Sequence, residues 1–409
     1  MKWAEGIDKI GIFLYLAISA FAVANIYSVD SSLGKKQLIF FGVSLFVGFI
    51  IFMMRTKFFE NFAVIFYALG VLLLIGLFPF GKEILGQKNW YKIGSFTMQP
   101  VEFAKIGTSL MLAAYISGPD FNLKIRKSLL TSLAIIGIPA VVVLAIPDVG
   151  SLLVFTAYVI ALYREGLSGW LFVAGFILAA IFLLSIAINP LYIVGALVLS
   201  VALFLLFNFN KISWSLPTIV TLVGSLGLLT AISFGTPKIM EKLPKHQRER
   251  IEVLFKGEKA FRDTSGYNLL YSKTAIGSGG FFGKGYKQGS VTQGKFVPEQ
   301  ETDYIFCTVG EEWGFLGSFL LVLFYAVYIG RIYYLAENQK TIFNRVFGYC
   351  FAGILLMHFA INLGMVMGLF PTVGIPLPYF SYGGSSFLAF SIMTAIFFKL
   401  NYADKNSLV

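Results

Sequence analysis

Glu102 and Lys105 stand in Gln99-Pro100-Val101-Glu102-Phe103-Ala104-Lys105, at the head of an apolar stretch where acidic residues are scarce. Pro100 suits a first helical turn, so a spacing of three puts the carboxylate and the ammonium on one helix face. An ionisable group at the centre of a membrane helix costs about 2.5–3.5 kcal/mol on insertion scales, so such groups mark function or neutralise one another. The plainer alternative is a carboxylate favoured by the helix N-terminus, with Lys105 as its counter-charge. The sequence leaves both open.

Further along, Arg262-Asp263-Thr264-Ser265-Gly266-Tyr267 sets a carboxylate beside basic residues. A glycine-rich run follows, Gly277-Ser278-Gly279-Gly280 through Gly283, Gly285 and Gly289, whose backbone N–H groups could approach an oxyanion. No βαβ context surrounds it, which excludes a dinucleotide fold. Then come Pro298-Glu299-Gln300-Glu301-Thr302-Asp303 and, about two turns into the next apolar run, Glu311 and Glu312. Such clustered carboxylates could hold a divalent cation or supply a general base. For Thr302 and Asp303 the blander reading is helix N-capping. Near the C-terminus, Pro371, Gly374, Pro376, Pro378, Gly383 and Gly384 surround Ser381. Irregular backbone at membrane depth is tolerated only inside protein or beside a wet cavity, so this run is expected to border the site.

The elements that must position these residues are helices in lipid. Of 409 residues 57% are apolar and only 13% charged, too oily for a water-soluble multidomain chain. A spanning helix needs roughly 20 apolar residues, and such stretches recur at 10–29, 37–54, 59–78, 100–117, 128–146, 149–163, 168–187, 190–208, 214–235, 304–332, 345–369 and 379–399. The expected fold is therefore an all-α polytopic membrane bundle of about twelve spans, with the first stretch retained as a span rather than cleaved as a signal. Lys and Arg, from Lys2 and Lys9 to Lys399 and Lys405, collect on one set of short connections; only Lys35, Lys36, Lys82, Lys88 and Lys92 lie on the other. By the positive-inside rule both termini are cytoplasmic. The net charge of +11 is spread over span ends and one long loop, which points to anionic headgroups or a phosphorylated lipid and not to nucleic acid. That loop, 235–302, falls outside on this topology and mixes charges with Ile251, Leu254, Phe255, Leu269 and Phe282, the pattern of interfacial helices. Cys307 and Cys350 lie in apolar segments and read as packing residues, and neither His246 nor His358 has a partner spacing.

Taken in order, these motifs resemble the SEDS family (shape, elongation, division and sporulation). The resemblance covers most of the chain and rests on Gln99-Pro100-Val101-Glu102 with Lys105, Pro147-Asp148-Val149-Gly150, Ala275 to Gly280 with Gly283 and Gly285, Pro298-Glu299 with Thr302-Asp303, Glu311-Glu312 with Gly314, and Pro376-Leu377-Pro378 to Ser385. Lys284, Gly289 and Thr302-Asp303 resemble the family's elongation branch more than its division branch. Val101 replaces the family's usual Ser, Asn89 its basic residue and Glu301 a common His. Between Arg164 and the long loop three spans stand where the family usually has one, which makes 165–212 an extra hairpin region within one membrane domain, 1–409.

The resemblance implies a peptidoglycan glycosyltransferase that polymerises lipid II into β-1,4 glycan at the outer face of the bacterial cytoplasmic membrane, with inversion and release of undecaprenyl pyrophosphate. The family's catalytic aspartate matches Asp263. Glu102 and Lys105 match a pair that lines the family's central cavity, and Glu299, Asp303 and Ser381 are further substrate-binding candidates. Arg248, Lys284 and Lys287 are weaker candidates for the pyrophosphate. A divalent cation, Mg or Mn, is expected, with no organic cofactor. The expected partners are lipid II, the nascent glycan strand, a class B penicillin-binding protein transpeptidase and other elongation-complex proteins. The rival readings are a lipid II flippase or transporter, a division polymerase, and a scaffold for other wall-synthesis proteins.

Overall fold

A computed structural model describes residues 6–84, 87–94, 96–211 and 214–406; Lys2 and the side chain of His246 lie outside the described part. The described residues form two compact units, Met1–Gly166 with Asn268–Val409, and Leu167–Tyr267. In the first, α1 (Lys9–Val29) is capped by Asp8, whose carboxylate accepts from Gly11 N at 2.7 Å and pairs with Arg331. α2 (Ser31–Met53) follows after one residue. Asp30 serves both ends: its N–H donates to Ile26 O at 2.9 Å, and its carboxylate accepts from Ser32 N at 2.8 Å and Leu33 N at 3.2 Å. A side-chain oxygen that satisfies orphan N–H groups lets a helix start abruptly. Lys35 and Lys36, expected in a loop, are therefore helical.

α3 (Thr56–Asn61), α4 (Ala63–Ile75) and α5 (Leu77–Phe80) make up the third apolar stretch. The chain then forms a feature that an all-α expectation missed, the antiparallel sheet β1 (Lys82–Ile84), β2 (Gln87–Ile93) and β3 (Phe96–Met98), in the order β1-β2-β3. Trp90 and Tyr91 favour extended backbone, and a polar connection between spans can leave strand edges to water, with Lys82 and Lys88 exposed. α6 (Pro100–Ile116) starts with Pro100 in its first turn, as expected. α7 (Arg126–Ala145) leads to Asp148, which caps α8 (Val149–Val154) through Ser151 N at 2.9 Å; a 3-10 turn joins α8 to α9 (Tyr158–Arg164).

The second unit holds α10 (Trp170–Ala187), α11 (Pro190–Asn208), α12 (Leu216–Lys242) and α13 (Lys245–Lys256). Its enclosed helix positions are few: Ile181 and Ser185 on α10, Ile193 on α11, Ser233, Thr236 and Met240 on α12, and Glu249 and Val253 on α13. Ser185 Oγ donates to Ser233 Oγ at 3.2 Å, a polar tie between two oily helices. α12 continues seven residues past Gly235, so the polar segment begins later than its composition suggests. α13 is amphipathic, as expected.

The chain returns to the first unit with α14 (Tyr267–Ser278), α15 (Ser290–Gln293), α16 (Ile305–Glu337), α17 (Ile342–Met367) and α18 (Gly384–Asn406). Among the described residues ten helices are long and apolar enough to cross a bilayer. The other two expected spans are also helical but short: α6 has 17 residues, and α8 to α9 is a short apolar run interrupted by its 3-10 turn. With this array of apolar helices, the chain is a multi-pass membrane protein.

α16 is broken at Gly314, where φ is 66°. A broken helix frees backbone donors and acceptors that lipid cannot satisfy. The segment after α14 satisfies them: Lys284 N and Gly285 N donate to the carbonyls of Glu311 and Glu312 at 2.9 and 3.0 Å, while Phe315 N and Leu316 N donate to Gly280 O and Phe281 O at 2.9 and 3.0 Å. Gly283 takes φ of 81°, and a Cβ there would run into the carbonyl of Glu312. Gly283→Ala is therefore expected to destabilise the fold by about 1–3 kcal/mol or more, read as a lowered thermal midpoint of the purified protein in detergent; an unchanged midpoint would show that the splice is slack.

Candidate active site

Glu102 and Lys105 meet as their spacing requires, with Lys105 Nζ 2.8 Å from the carboxylate, and both are buried, 2% and 1% exposed. A third group completes the cluster. His358, on α17, brings Nε2 to 2.7 Å from Lys105 Nζ and Nδ1 to 3.0 Å from Pro376 O. A carbonyl can only accept, so Nδ1 carries the hydrogen and Nε2 accepts from the ammonium. The ring of Phe390 lies 5.2 Å from Lys105 Nζ and supplies a cation–π face. Lys105 is thus saturated inside the bundle, which places the pair as an internal strut linking α6, α17 and the Pro376 segment. No sequence spacing announced His358, because its partner lies 253 residues away.

Asp148 is a hub beside it: Asn89 Nδ2 donates to its carboxylate at 3.1 Å and Ser151 Oγ at 2.8 Å. The residue that departs from the family's basic pattern, Asn89, therefore has a role as a neutral donor.

The Glu311 and Glu312 carboxylates hold the glycine-rich segment in place. Glu311 is fully buried and accepts from Lys284 Nζ at 2.7 Å, Val291 N at 2.9 Å and Thr292 N at 2.8 Å. Glu312 accepts from Ser28 Oγ at 2.6 Å and Gln293 Nε2 at 2.9 Å. Lys284 also donates to Ser290 Oγ at 2.8 Å, so its ammonium belongs to this knot. The amides of Lys284 and Gly285, which an anion cradle would need, are committed to α16 instead. Lys287 differs: it is exposed, and its ammonium rests over the rings of Tyr27 at 4.5 Å and Tyr286 at 5.8 Å.

Neither Thr302 nor Asp303 is the N-cap residue of α16; that position is Tyr304, whose side chain makes no cap hydrogen bond and instead meets Thr372 Oγ1 at 3.1 Å. A turn intervenes: Thr302 N and Tyr304 N both donate to Glu299 O at 3.2 Å, and Glu299 sits in the left-handed region at φ 57°. Thr302 Oγ1 donates to the Glu299 carboxylate at 3.2 Å. Burial, reinforced by Glu301, holds the Glu299 carboxyl above the usual range. Ser381 Oγ donates to Thr302 O at 2.5 Å and accepts from Leu377 N at 2.8 Å, so it fastens the Pro/Gly-rich run to this turn. Asn362 Nδ2 bonds to the backbone carbonyls of Asp303 and Ile375 at 2.9 and 2.7 Å, and the Asp303 carboxylate faces Gly374. From Leu377 to Ser381 the irregular run is thereby buried in protein, one of the two conditions that membrane depth imposes, while Gly374 is exposed.

In the second unit Asp263 is exposed, on a turn after α13. Thr264 N and Gly266 N donate to Phe261 O at 3.1 and 3.0 Å, and Tyr267 N to Thr264 O at 3.2 Å. A Cβ at Gly266 would meet Glu258 O at 2.5 Å, so the turn closes this tightly only on glycine. Arg248 pairs with Glu252 at 3.5 Å on α13. Among the described residues no three His, Cys, Asp or Glu side chains gather into a cluster able to hold a metal ion. Both cysteines are buried and free.

Two overlapping stretches, 4–195 and 176–406, match the sequence pattern of the FtsW, RodA and SpoVE group, described as cell cycle protein. The chain belongs to that family. The peptidoglycan glycosyltransferase MrdB of Escherichia coli K12 is 28% identical over 93% of this chain and 90% of its own length. The peptidoglycan glycosyltransferase RodA of Treponema pallidum is 27% identical over 98% of this chain and 99% of its own. Among solved structures, a chain of a peptidoglycan synthase complex that coordinates polymerization and crosslinking superposes with TM-score 0.72, at 24% identity over 98% of this chain and 99% of that one. The rod-shape-determining protein RodA of Thermus thermophilus does so with TM-score 0.63, at 23% identity over 97% of each chain. The chain shares its fold with both solved structures. The two matched stretches overlap at 176–195, within α10 and α11.

Removing one partner of the buried pair leaves an uncompensated charge, so Glu102→Ala should cost about 3–5 kcal/mol, and the double variant Glu102→Gln with Lys105→Met clearly less than the two single losses together. Thermal unfolding in detergent reads both; additive losses would show that the two side chains act independently.

Proposed function

We propose that this chain is a peptidoglycan glycosyltransferase that polymerises lipid II during cell elongation, with Asp263 as the general base. Support comes from family membership and from relatives that bear this activity in their names along nine-tenths or more of the chain. The observation that carries the catalytic assignment is the placement of Asp263: an exposed carboxylate, on a turn that glycine closes, in the polar segment between two spanning helices.

Asp263 takes the proton of the acceptor hydroxyl, and the oxygen attacks C1 of the donor sugar from the face opposite the pyrophosphate. The new C1–O bond forms as the old one breaks, the configuration inverts to β, and undecaprenyl pyrophosphate leaves with the electron pair. A positioned base typically contributes 10²–10⁴-fold. Negative charge grows on the leaving group, where fixed cations stabilise it; Lys287 and Arg248 are the candidates, and Lys284 acts through Glu311. Mg or Mn belongs to the proposal as a counter-ion carried by the pyrophosphate, since Mg²⁺ is commonly held by substrate phosphates with one or two carboxylates.

On this reading both termini are cytoplasmic, the membrane is the bacterial inner membrane, and Asp263 faces outward; the distribution of Lys and Arg supports that orientation. The match to a chain of a synthase complex supports a class B penicillin-binding protein as partner. The buried Glu102–Lys105–His358 cluster also suits a transporter, since ionisable groups inside a bundle line many transport paths. Purified protein with lipid II in detergent separates the two, because polymerisation needs no second compartment and flipping does. Wild type is expected to form polymer, less of it with EDTA, and Asp263→Ala to lower the rate at least 10²-fold while its thermal midpoint holds. Normal polymer from Asp263→Ala would overturn the assignment.

A further inference from the structure

The turn that carries Asp263 is fastened to α13 by a carboxylate that none of the motifs contains. Glu249, 8% exposed, accepts from Ser265 Oγ at 3.3 Å and also from the hydroxyl of Thr264 and the backbone N–H of Ser265. These are the two residues directly after Asp263. Lys245 stands 3.8 Å away on the same helix, one turn earlier. The bonds from Thr264 and Ser265, with the charge of Lys245, hold the Glu249 carboxyl below the usual range.

The path between them explains why a tether is needed. α13 ends at Gly257, in the left-handed region with φ 81°, and a single 3-10 turn, Glu258–Phe261, leads to the 261–267 turn. A glycine hinge followed by one turn of 3-10 helix fixes direction poorly on its own. Inside the turn the backbone bonds to Phe261 O fix its shape but not its bearing on the rest of the unit. The Glu249 bonds to Thr264 and Ser265 supply that bearing, closing a loop of 16 residues.

We infer that Glu249 is a positioning residue for the glycosyl transfer: by binding Thr264 and Ser265 it sets where the Asp263 carboxylate stands. The inference rests on the assignment of Asp263 as base. A base that strays by about 1 Å can lose on the order of 10²-fold in rate, while substrate held elsewhere is bound as before. Glu249 itself touches no reacting atom.

The test uses the full-length purified protein and lipid II polymerisation in detergent. Glu249→Ala should lower kcat by about 10- to 100-fold, with KM within about twofold and the thermal midpoint close to wild type. Glu249→Gln keeps one oxygen, whose two lone pairs can still accept from Ser265 and one further donor, and should recover kcat to within about threefold of wild type. Ser265→Ala should be milder, and the Glu249→Ala, Ser265→Ala double variant no slower than Glu249→Ala alone, because both remove the same tether. Wild-type kcat in Glu249→Ala, equal losses in the Ala and Gln variants, or additive losses in the double variant would each overturn the inference. Asp263→Ala in the same assay keeps the two claims apart. If it is active the base assignment fails; if it is inactive while Glu249→Ala is normal, only the tether fails.

Discussion

Everything in the larger unit is arranged around one demand of the bilayer: a backbone group without water must find a partner in the protein. Gly314 breaks a 33-residue helix, and the break would strand the carbonyls of Glu311 and Glu312 and the amides of Phe315 and Leu316. Residues 280–285 splice into that gap, and the carboxylates just before it gather the next stretch, 284–293, around themselves. Through Ser28 the same knot reaches α1. Glycine, carboxylate and lysine in this region answer a single hydrogen-bonding problem, which is why they stand so close together in the chain.

The same demand shapes the Pro/Gly-rich run before α18. Its prolines remove donors and its glycines permit turns, and what remains is met by Asn362, Ser381 and His358. His358 couples that run to the charged pair on α6, so the irregular backbone and the internal ion pair are one structure. A neutral imidazole with its hydrogen fixed on Nδ1 suits this place: it offers an acceptor to an ammonium on one side and a donor to a carbonyl on the other.

How much of this was legible in the chain depended on distance along it. The Glu102–Lys105 pair could be read because helical periodicity places such residues together, and the apolar stretches could be read because a bilayer sets their length. The small sheet escaped because its strands are short and two of them have only three residues, too few to show alternation. Thr302 and Asp303 have the chemistry of helix caps, but Glu299 captures the backbone of that turn first. The glycine run offers N–H groups in the manner of an anion cradle, and only the three-dimensional neighbour, α16, shows where two of them go. Glu249 gave no signal, since Glu–Lys and Glu–Arg pairs on an amphipathic helix are commonplace and its partners lie beyond a glycine hinge.

The oily helices α10 and α11 stand under a looser rule. Apart from Ile181, Ser185 and Ile193, their positions require greasiness and helix propensity rather than a particular shape. Exchange among Leu, Ile, Val and Phe at those places is expected to change little, whereas the positions around Gly314 are tied to particular hydrogen bonds.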